Sequence, residues 1–422
     1  MIWIIVLLFV LFFLRVPIAF ALGISSLVGL LMSGTDMILV AQKIFSGIDS
    51  FTLLAIPLFV LAGELMSVGG LSKRLVDFAA LLVGHLPAGL AMVAVLACTF
   101  FASISGTAIA DAAAIGGMLI PAMIAQGYDR RFASSLVASA ATIGPVIPPS
   151  IPLILYGVIA SVSIGDLFIA GIVPGILMAL GLMLYTYYYG VRHHIKGREK
   201  MASLKEIVLG LKDALLALML PVIIIGGFRF GIFTATEAGV VAVVYALLVG
   251  FLYRELDVKK VAKSLLESAV SSATILFVIG NATLFTWLLA YHNIPQKISA
   301  YVSAISTEPW VILLLINIIL LIAGTFIDTI SALTIFTPLF LPVILAAGID
   351  PVHFGIIMIV NLTIGMITPP LGVALFVTSS IAKINLAEMI RPLVPMLLVL
   401  LLVLLLVTYI PELSLFLPRL LG

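Results

Sequence analysis

Long apolar runs and short polar breaks alternate along the whole chain. A helix that crosses ~30 Å of hydrocarbon needs about 20 mostly apolar residues, and runs of that order recur from Ile2 to Leu406. The first extends to about Met32 and is interrupted by Arg15-Val16-Pro17, which predicts one long kinked helix or two short ones. A second covers about Phe51 to Val68, with Lys73-Arg74 behind it. From Leu86 to Tyr189 the chain is apolar but heavily punctuated by Gly, Pro and Ser. Further spans are expected at about 207–228, 235–253, 271–290, 309–326, 329–346, 352–366, 371–382 and 391–410. The pattern predicts an all-α polytopic membrane protein with eleven to thirteen segments, several too short or too broken to cross fully.

Two of these spans lie between charged loops, Arg192 to Lys200 and Arg254 to Lys260 with Lys263. Both loops fall on one side, and their Lys/Arg excess assigns it to the cytoplasm. Met1-Ile2-Trp3-Ile4 has neither a basic n-region nor a small-residue cleavage site and reads as a retained first span. With 63% hydrophobic and 9% charged residues, the chain has far too little polar cover for a soluble fold, where charged residues run near ~25%. A net charge of +2 without a basic tract argues against nucleic acid. Cys98 is the single cysteine and cannot form an intramolecular disulfide. The five histidines have no metal-ligand spacing. Arg15 and Arg229 suit snorkelling to an interface, and Tyr185, Tyr187, Tyr188 and Tyr189 suit an interfacial aromatic belt.

An internal repeat organises the rest. At a constant offset of 221, Pro121 to Pro149 matches Pro342 to Pro370 at nine of 29 positions. The identities include Gly127/Gly348, Asp129/Asp350, Thr142/Thr363, Gly144/Gly365, Pro148/Pro369 and Pro149/Pro370. Upstream, Ile104-Ser105-Gly106-Thr107 resembles Ile322-Ala323-Gly324-Thr325 at an offset of 218. Apolar identities come cheaply in a membrane chain, whereas paired Gly, Asp and Pro-Pro at one offset do not.

Each copy carries Ile-Gly-x-x-x-Pro-Pro inside an apolar run, Ile143 to Pro149 and Ile364 to Pro370. Consecutive prolines end a helix, and the freed carbonyls are tolerated in hydrocarbon only beside protein, water or an ion. Matched breaks in two halves point to a transporter's binding site. The polar tips Ser103 to Thr107 and Gly324-Thr325 suit re-entrant hairpins that come back to the breaks. Hydroxyls and bare carbonyls are hard, uncharged ligands fit for Na⁺, and half-helix N-termini suit an anion. The same small residues would also permit close helix packing. Asp111 and Asp328 lie just beyond the tips, where a carboxylate is either functional or a cap. Glu237 closes a capping-box pattern with Thr234. Glu64 suits either a helix end or a subunit contact.

Five stretches, Leu54 to Met66, Ser103 to Gly116, Gly144 to Pro152, Gly231 to Ala238 and Gly365 to Gly372, together resemble the large membrane subunit of TRAP (tripartite ATP-independent periplasmic) transporters. The resemblance implies a Na⁺-driven importer of organic acids in a bacterial inner membrane, an elevator-type transporter with scaffold and transport domains, built from about 11 transmembrane helices plus two re-entrant hairpins in an inverted repeat. It also implies a small four-helix membrane partner and a periplasmic substrate-binding protein. Carried over residue by residue, one sodium site falls on Ser103, Ser105, Gly144, Ile147 and Pro149, the other on Gly324, Thr325, Gly365, Thr368 and Pro370. Thr107, Asp111, Pro148, Asp328 and Pro369 are the expected substrate-side residues. Family members often have Gly-Ser where this chain has Gly106-Thr107, which keeps the hydroxyl.

The expected organisation is a first repeat over 1–190 (scaffold helices 1–85, core 86–190), a cytoplasmic loop over 191–206, and a second repeat over 207–422 (scaffold and arm helices 207–306, core 307–410). A stand-alone Na⁺/dicarboxylate symporter is the alternative within the same class. An intramembrane enzyme is disfavoured, since Ser105-Gly106 has no histidine nearby in sequence; a primary pump is disfavoured because no Walker A pattern occurs. No cofactor is expected beyond the coupling ion.

Overall fold

The computed structural model describes residues 2–14 and 16–421; Arg15, expected to snorkel, lies outside them. Every regular element among the described residues is helical. The apolar start resolves into two helices rather than one, α1 (Ile2–Phe13) and α2 (Ile18–Ser33), because Pro17 ends the first and opens the second. α3 (Ile38–Ile48), a 3₁₀ turn at Phe51–Leu54, α4 (Ala55–Val68) and α5 (Leu71–Val83) follow. α6 (Gly89–Ser105) and α7 (Ala108–Ala125) form a hairpin. α8 (Arg130–Ala141) and α9 (Ile151–Ala160) are two halves of a broken helix, and α10 (Ile164–Arg192) completes the first copy. α11 (Leu204–Arg229), α12 (Ala235–Leu252), α13 (Val258–Tyr291) and α14 (Ile294–Ile305) lead to a second hairpin, α15 (Pro309–Gly324) and α16 (Thr329–Ala346). A second broken helix, α17 (Pro351–Gly365) and α18 (Val373–Ala382), precedes α19 (Leu386–Tyr409) and α20 (Glu412–Leu421).

Eight of the described helical segments are long and apolar enough to cross a membrane. The chain is therefore a multi-pass integral membrane protein. The repeat is visible in the helix ends: α7 and α16 have boundaries 221 residues apart, and α8 and α17 begin 221 apart. Four long apolar helices, α10 to α13, and the shorter α14 separate the first broken helix from the second hairpin. Part of the sequence identity is turn chemistry. Gly127 (φ +87°) and Gly348 (φ +70°) take the left-handed conformation after α7 and α16. Asp129 then accepts from Arg131 N at 2.8 Å and Asp350 from Val352 N at 2.8 Å, capping α8 and α17. The two copies also touch, since Tyr156 of α9, fully buried, donates to Pro351 O at 2.6 Å.

Several expectations on element limits are corrected. The 191–206 loop is shorter, 193–203, because Ser203 and Glu206 form a capping box that starts α11 at Leu204. The second charged loop is half helix: Asp257 accepts from Lys260 N at 2.8 Å, so Lys259, Lys260 and Lys263 lie on the polar first turns of α13. α5 and α14 are amphipathic helices where no element was expected. Of the tyrosine belt, Tyr187 and Tyr188 face outward, while Tyr189 turns in to stack on Phe132 with ring centroids 3.6 Å apart.

The segment joining the copies is pinned to the α5–α6 turn by backbone. Ala88 N donates to Ile195 O at 2.9 Å and Arg198 N to Gly84 O at 2.9 Å. Glycines make the approach possible: a methyl group on Gly190 would stand 2.6 Å from Ala88 N, and one on Gly89 would stand 3.2 Å from Gly197 Cα. Elsewhere α4 packs on α12 and α13, α13 packs on α2 and α3, and the hairpins pack on the broken helices. Arg74 of α5 lies 3.8 Å over the half-buried Tyr253 ring, a cation–π contact worth ~0.5–2 kcal/mol.

Candidate functional site

The first tip turns at Gly106 (φ +61°), whose N–H closes α6 on Ala102 O at 3.2 Å. Thr107 is extended and caps α7 by accepting from Ala110 N at 3.3 Å. The Ser105 hydroxyl accepts from Thr107 N at 3.3 Å and donates to Asp111 Oδ1. Asp111 is wholly buried, and its Oδ2 has no hydrogen-bond partner among the described residues.

Two prolines decide which carbonyls of the break are free. Pro148 and Pro149 have no N–H, so Gly144 O and Pro145 O lose the donors a helix would offer them four residues on. Pro145 O is answered by the Ser150 hydroxyl. Gly144 faces the tip: a methyl group there would stand 3.0 Å from Asp111 Cγ and 3.1 Å from Thr107 O. The tip also meets the far end of the break, since a methyl group on Gly106 would stand 2.8 Å from Pro149 O. Ile147 packs its side chain toward Gly175 of α10, leaving its backbone as the only group to offer an ion.

The second copy repeats this with different chemistry. α17 ends at Gly365, whose carbonyl accepts from Thr368 N at 2.9 Å, and Met366 O accepts from Ala374 N at 3.1 Å. Gly324 at the hairpin end lies directly against Gly365. Both Pro148–Pro149 and Pro369–Pro370 are joined by cis peptide bonds. The first pair is buried; Pro369 is half-buried and Pro370 exposed. Asp328 caps α16, accepting from Ser331 N at 3.1 Å and from the Ser331 hydroxyl at 2.6 Å. It therefore occupies the position of Thr107, not that of Asp111, whose counterpart is Ala332.

Three candidate hydroxyls share one arrangement. Ser103 donates to Phe100 O at 2.7 Å, Thr325 to Ile322 O at 2.7 Å and Thr368 to Ile364 O at 2.8 Å. Each proton is committed to a carbonyl of the helix the residue lies in or follows, which leaves the oxygen lone pairs available to a cation.

Between the tips and α4 and α13 lies a cavity of about 770 Å³, a common size for a small-molecule site. Ser105, Thr107 and Asp328 line it, together with Pro145 and Met366 of the breaks. Asp111, Pro148 and Pro369 do not reach it; Asp111 is closed off behind Ser105. The N-terminal residues of α7 (Ala108 to Ala110), α9 (Ile151, Pro152) and α16 (Thr329, Ile330) converge on it, bringing positive dipole ends and, at Ala108, Ile109, Ile151, Thr329 and Ile330, N–H groups that no carbonyl of their own helix accepts. Its described lining residues include Glu64 and Asp328 but no lysine or arginine. The opposite wall, Ser67 on α4 with Ser271 and Thr274 on α13, was missed by sequence reasoning; the recurring Ser264, Ser268 and Ser271 on α13 was the available signal. Glu237 proves structural, with Thr234 N donating to its Oε2 at 2.8 Å. Among the described residues no group of three His, Cys, Asp or Glu is placed to hold a metal.

Residues 5–413 match the family described as "Tripartite ATP-independent periplasmic transporter, DctM component". The chain is 43% identical over 404 residues to the C4-dicarboxylate TRAP transporter large permease protein DctM of Pseudomonas aeruginosa, covering 95% of this chain and 94% of that one. It is 43% identical over 403 residues to the isethionate TRAP transporter permease protein DctMQ of Oleidesulfovibrio alaskensis, covering 95% of this chain and 64% of that longer one. In fold it is similar to the crystal structure of the Alcanivorax borkumensis YdaH transporter, with a TM-score of 0.62 and 18% identity over 87% of this chain and 86% of that one.

Proposed function

Since this chain belongs to the DctM family of large TRAP permeases, we propose that it is a Na⁺-coupled importer of an organic acid, handed over by a periplasmic binding protein at a bacterial inner membrane. It is a transporter permease and not an enzyme. One observation carries the reading: three helix N-termini converge on a cavity whose described lining holds carboxylates and no lysine or arginine. N–H groups and dipole ends attract an anion, while Asp328 and Glu64 repel it. Bound cations resolve that conflict, and the unwound carbonyls and committed hydroxyls beside the cavity supply their ligands.

In this reading Ser103, Ser105, Gly144, Ile147 and Pro149 hold one Na⁺, and Gly324, Thr325, Gly365, Thr368 and Pro370 hold the other. Thr107 and Asp328 set the substrate side; Asp111 acts on it through its bond to Ser105, and Pro148 and Pro369 act on it by shaping the breaks rather than by contact. The hairpins and broken helices (86–190 and 307–410) form a core that moves against scaffold and arm helices (1–85 and 207–306), carrying the cavity between the two faces. The membrane potential adds ~2.3 kcal/mol per charge per 100 mV. A small membrane subunit completes the scaffold; the fused relative is longer than this chain by a further segment.

The test is uptake of labelled C4-dicarboxylates, sialic acids, keto-acids and sugar acids into proteoliposomes holding the chain with its small partner and binding protein. Uptake driven by a Na⁺ gradient, abolished by K⁺ replacement, is expected. Equal uptake without Na⁺ overturns the coupling, and uptake of free substrate without the binding protein makes the chain a stand-alone symporter.

A further inference from the structure

Away from the cavity, α15, α17 and α19 of the second copy share a buried polar network. Asn361 of α17 is wholly buried and donates from Nδ2 to Asn317 Oδ1 at 2.6 Å and to Asn317 O at 3.0 Å. Asn317 of α15 donates in turn from Nδ2 to Thr408 Oγ1 of α19 at 3.1 Å. Asn317 precedes Gly324 by seven residues and Asn361 precedes Gly365 by four, so each amide shares a helix face with the glycine at which the two backbones meet. At the offsets of 218 for the hairpin arm and 221 for the broken helix, the first copy has Thr99, whose hydroxyl donates to Val95 O at 2.8 Å, and Ala140 at these positions.

Apolar side chains tolerate small slips of one helix along another, whereas a buried amide that donates across the seam has one favourable register. The Gly324–Gly365 contact leaves no room for a slip, and Thr325 and Thr368 stand beside it. We infer that Asn317 and Asn361 are positioning residues for the second cation site, holding α15 and α17 in the one register that brings its ligands together, while the first site has no such lock. The inference rests on the Na⁺-coupled reading above.

The experiment is the Na⁺ dependence of uptake in the reconstituted three-component system, with thermal unfolding measured in K⁺ alone. The double variant Asn317→Thr/Asn361→Ala, which installs the residues of the first copy, is expected to raise half-saturating Na⁺ about tenfold, the scale of one or two buried hydrogen bonds. Maximal uptake at saturating Na⁺ should stay within about twofold of the unaltered protein. The milder Asn361→Ser, which retains a donor for Asn317 O, covers the case of a poorly folding double variant and should show a smaller rise in the same direction. Unchanged half-saturation in a folded variant, or a lost maximum at unchanged half-saturation, overturns the inference. Absence of Na⁺ dependence in the unaltered protein overturns the coupled reading instead, and this inference with it.

Discussion

Gly365 and Gly324 meet backbone to backbone: a methyl group on Gly365 would stand 2.6 Å from both the Cα and the carbonyl carbon of Gly324. Neither partner atom belongs to a flexible side chain, so nothing there yields without moving a helix. Gly365→Ala should lower stability by roughly 1–3 kcal/mol, the usual range for overpacking, and abolish Na⁺-driven uptake. Thermal unfolding and proteoliposome uptake read the two effects separately. A fully active Gly365→Ala protein would show that the contact is not part of the site.

Thr368 separates ligand from packing. Thr368→Val removes the oxygen but keeps the shape, and half-saturating Na⁺ should rise about tenfold. Thr368→Ser should restore it, because the hydroxyl still returns its proton to Ile364 O. Equal Na⁺ titrations for Val and Ser would exclude the hydroxyl as a ligand.

Asp111 is wholly buried, with Oδ2 unpaired among the described residues. Asp111→Asn retains an oxygen for Ser105 but drops the charge. It should fold, insert and lose Na⁺-dependent uptake by at least about tenfold, since a buried carboxylate needs a compensating cation. Uptake of Na⁺ tracer into the reconstituted protein is the direct reading.

The capping box of α12 is a stability device. Thr234→Ala removes the acceptor of Glu237 N and should cost about 1 kcal/mol in unfolding, with transport per folded molecule unchanged. A specific defect in turnover would give Thr234 a second role.

The internal repeat was readable because its identities are of two strong kinds. Gly127/Gly348 and Asp129/Asp350 end one helix and cap the next; Gly144/Gly365 and the proline pairs break a helix and permit close approach. Such residues stand out against an apolar background. What escaped notice lacked that contrast. α5 and α14 have 13 and 12 residues and mixed polarity, too short and too polar to read as spans. The early turns of α13 read as loop because Lys259, Lys260 and Lys263 outweighed the single cap at Asp257. Asp328 stands opposite Thr107 rather than Asp111 because the offset changes from 218 at Thr325 to 221 at Asp328. The α4–α13 wall escaped because isolated serines in unbroken helices carry little local signal.

The two backbone bonds that fasten residues 195 and 198 to the α5–α6 turn have a practical consequence for the chain's continuity. They leave 199–202, just ahead of the Ser203 cap, as a short tether with no comparable fastening. A gene divided there would yield two polypeptides, each carrying one hairpin and one proline break and each ending outside the membrane. Co-produced, the pieces should find one another and import as the joined protein does, whereas a division at 86–88 would cut through the clasp itself and should fail.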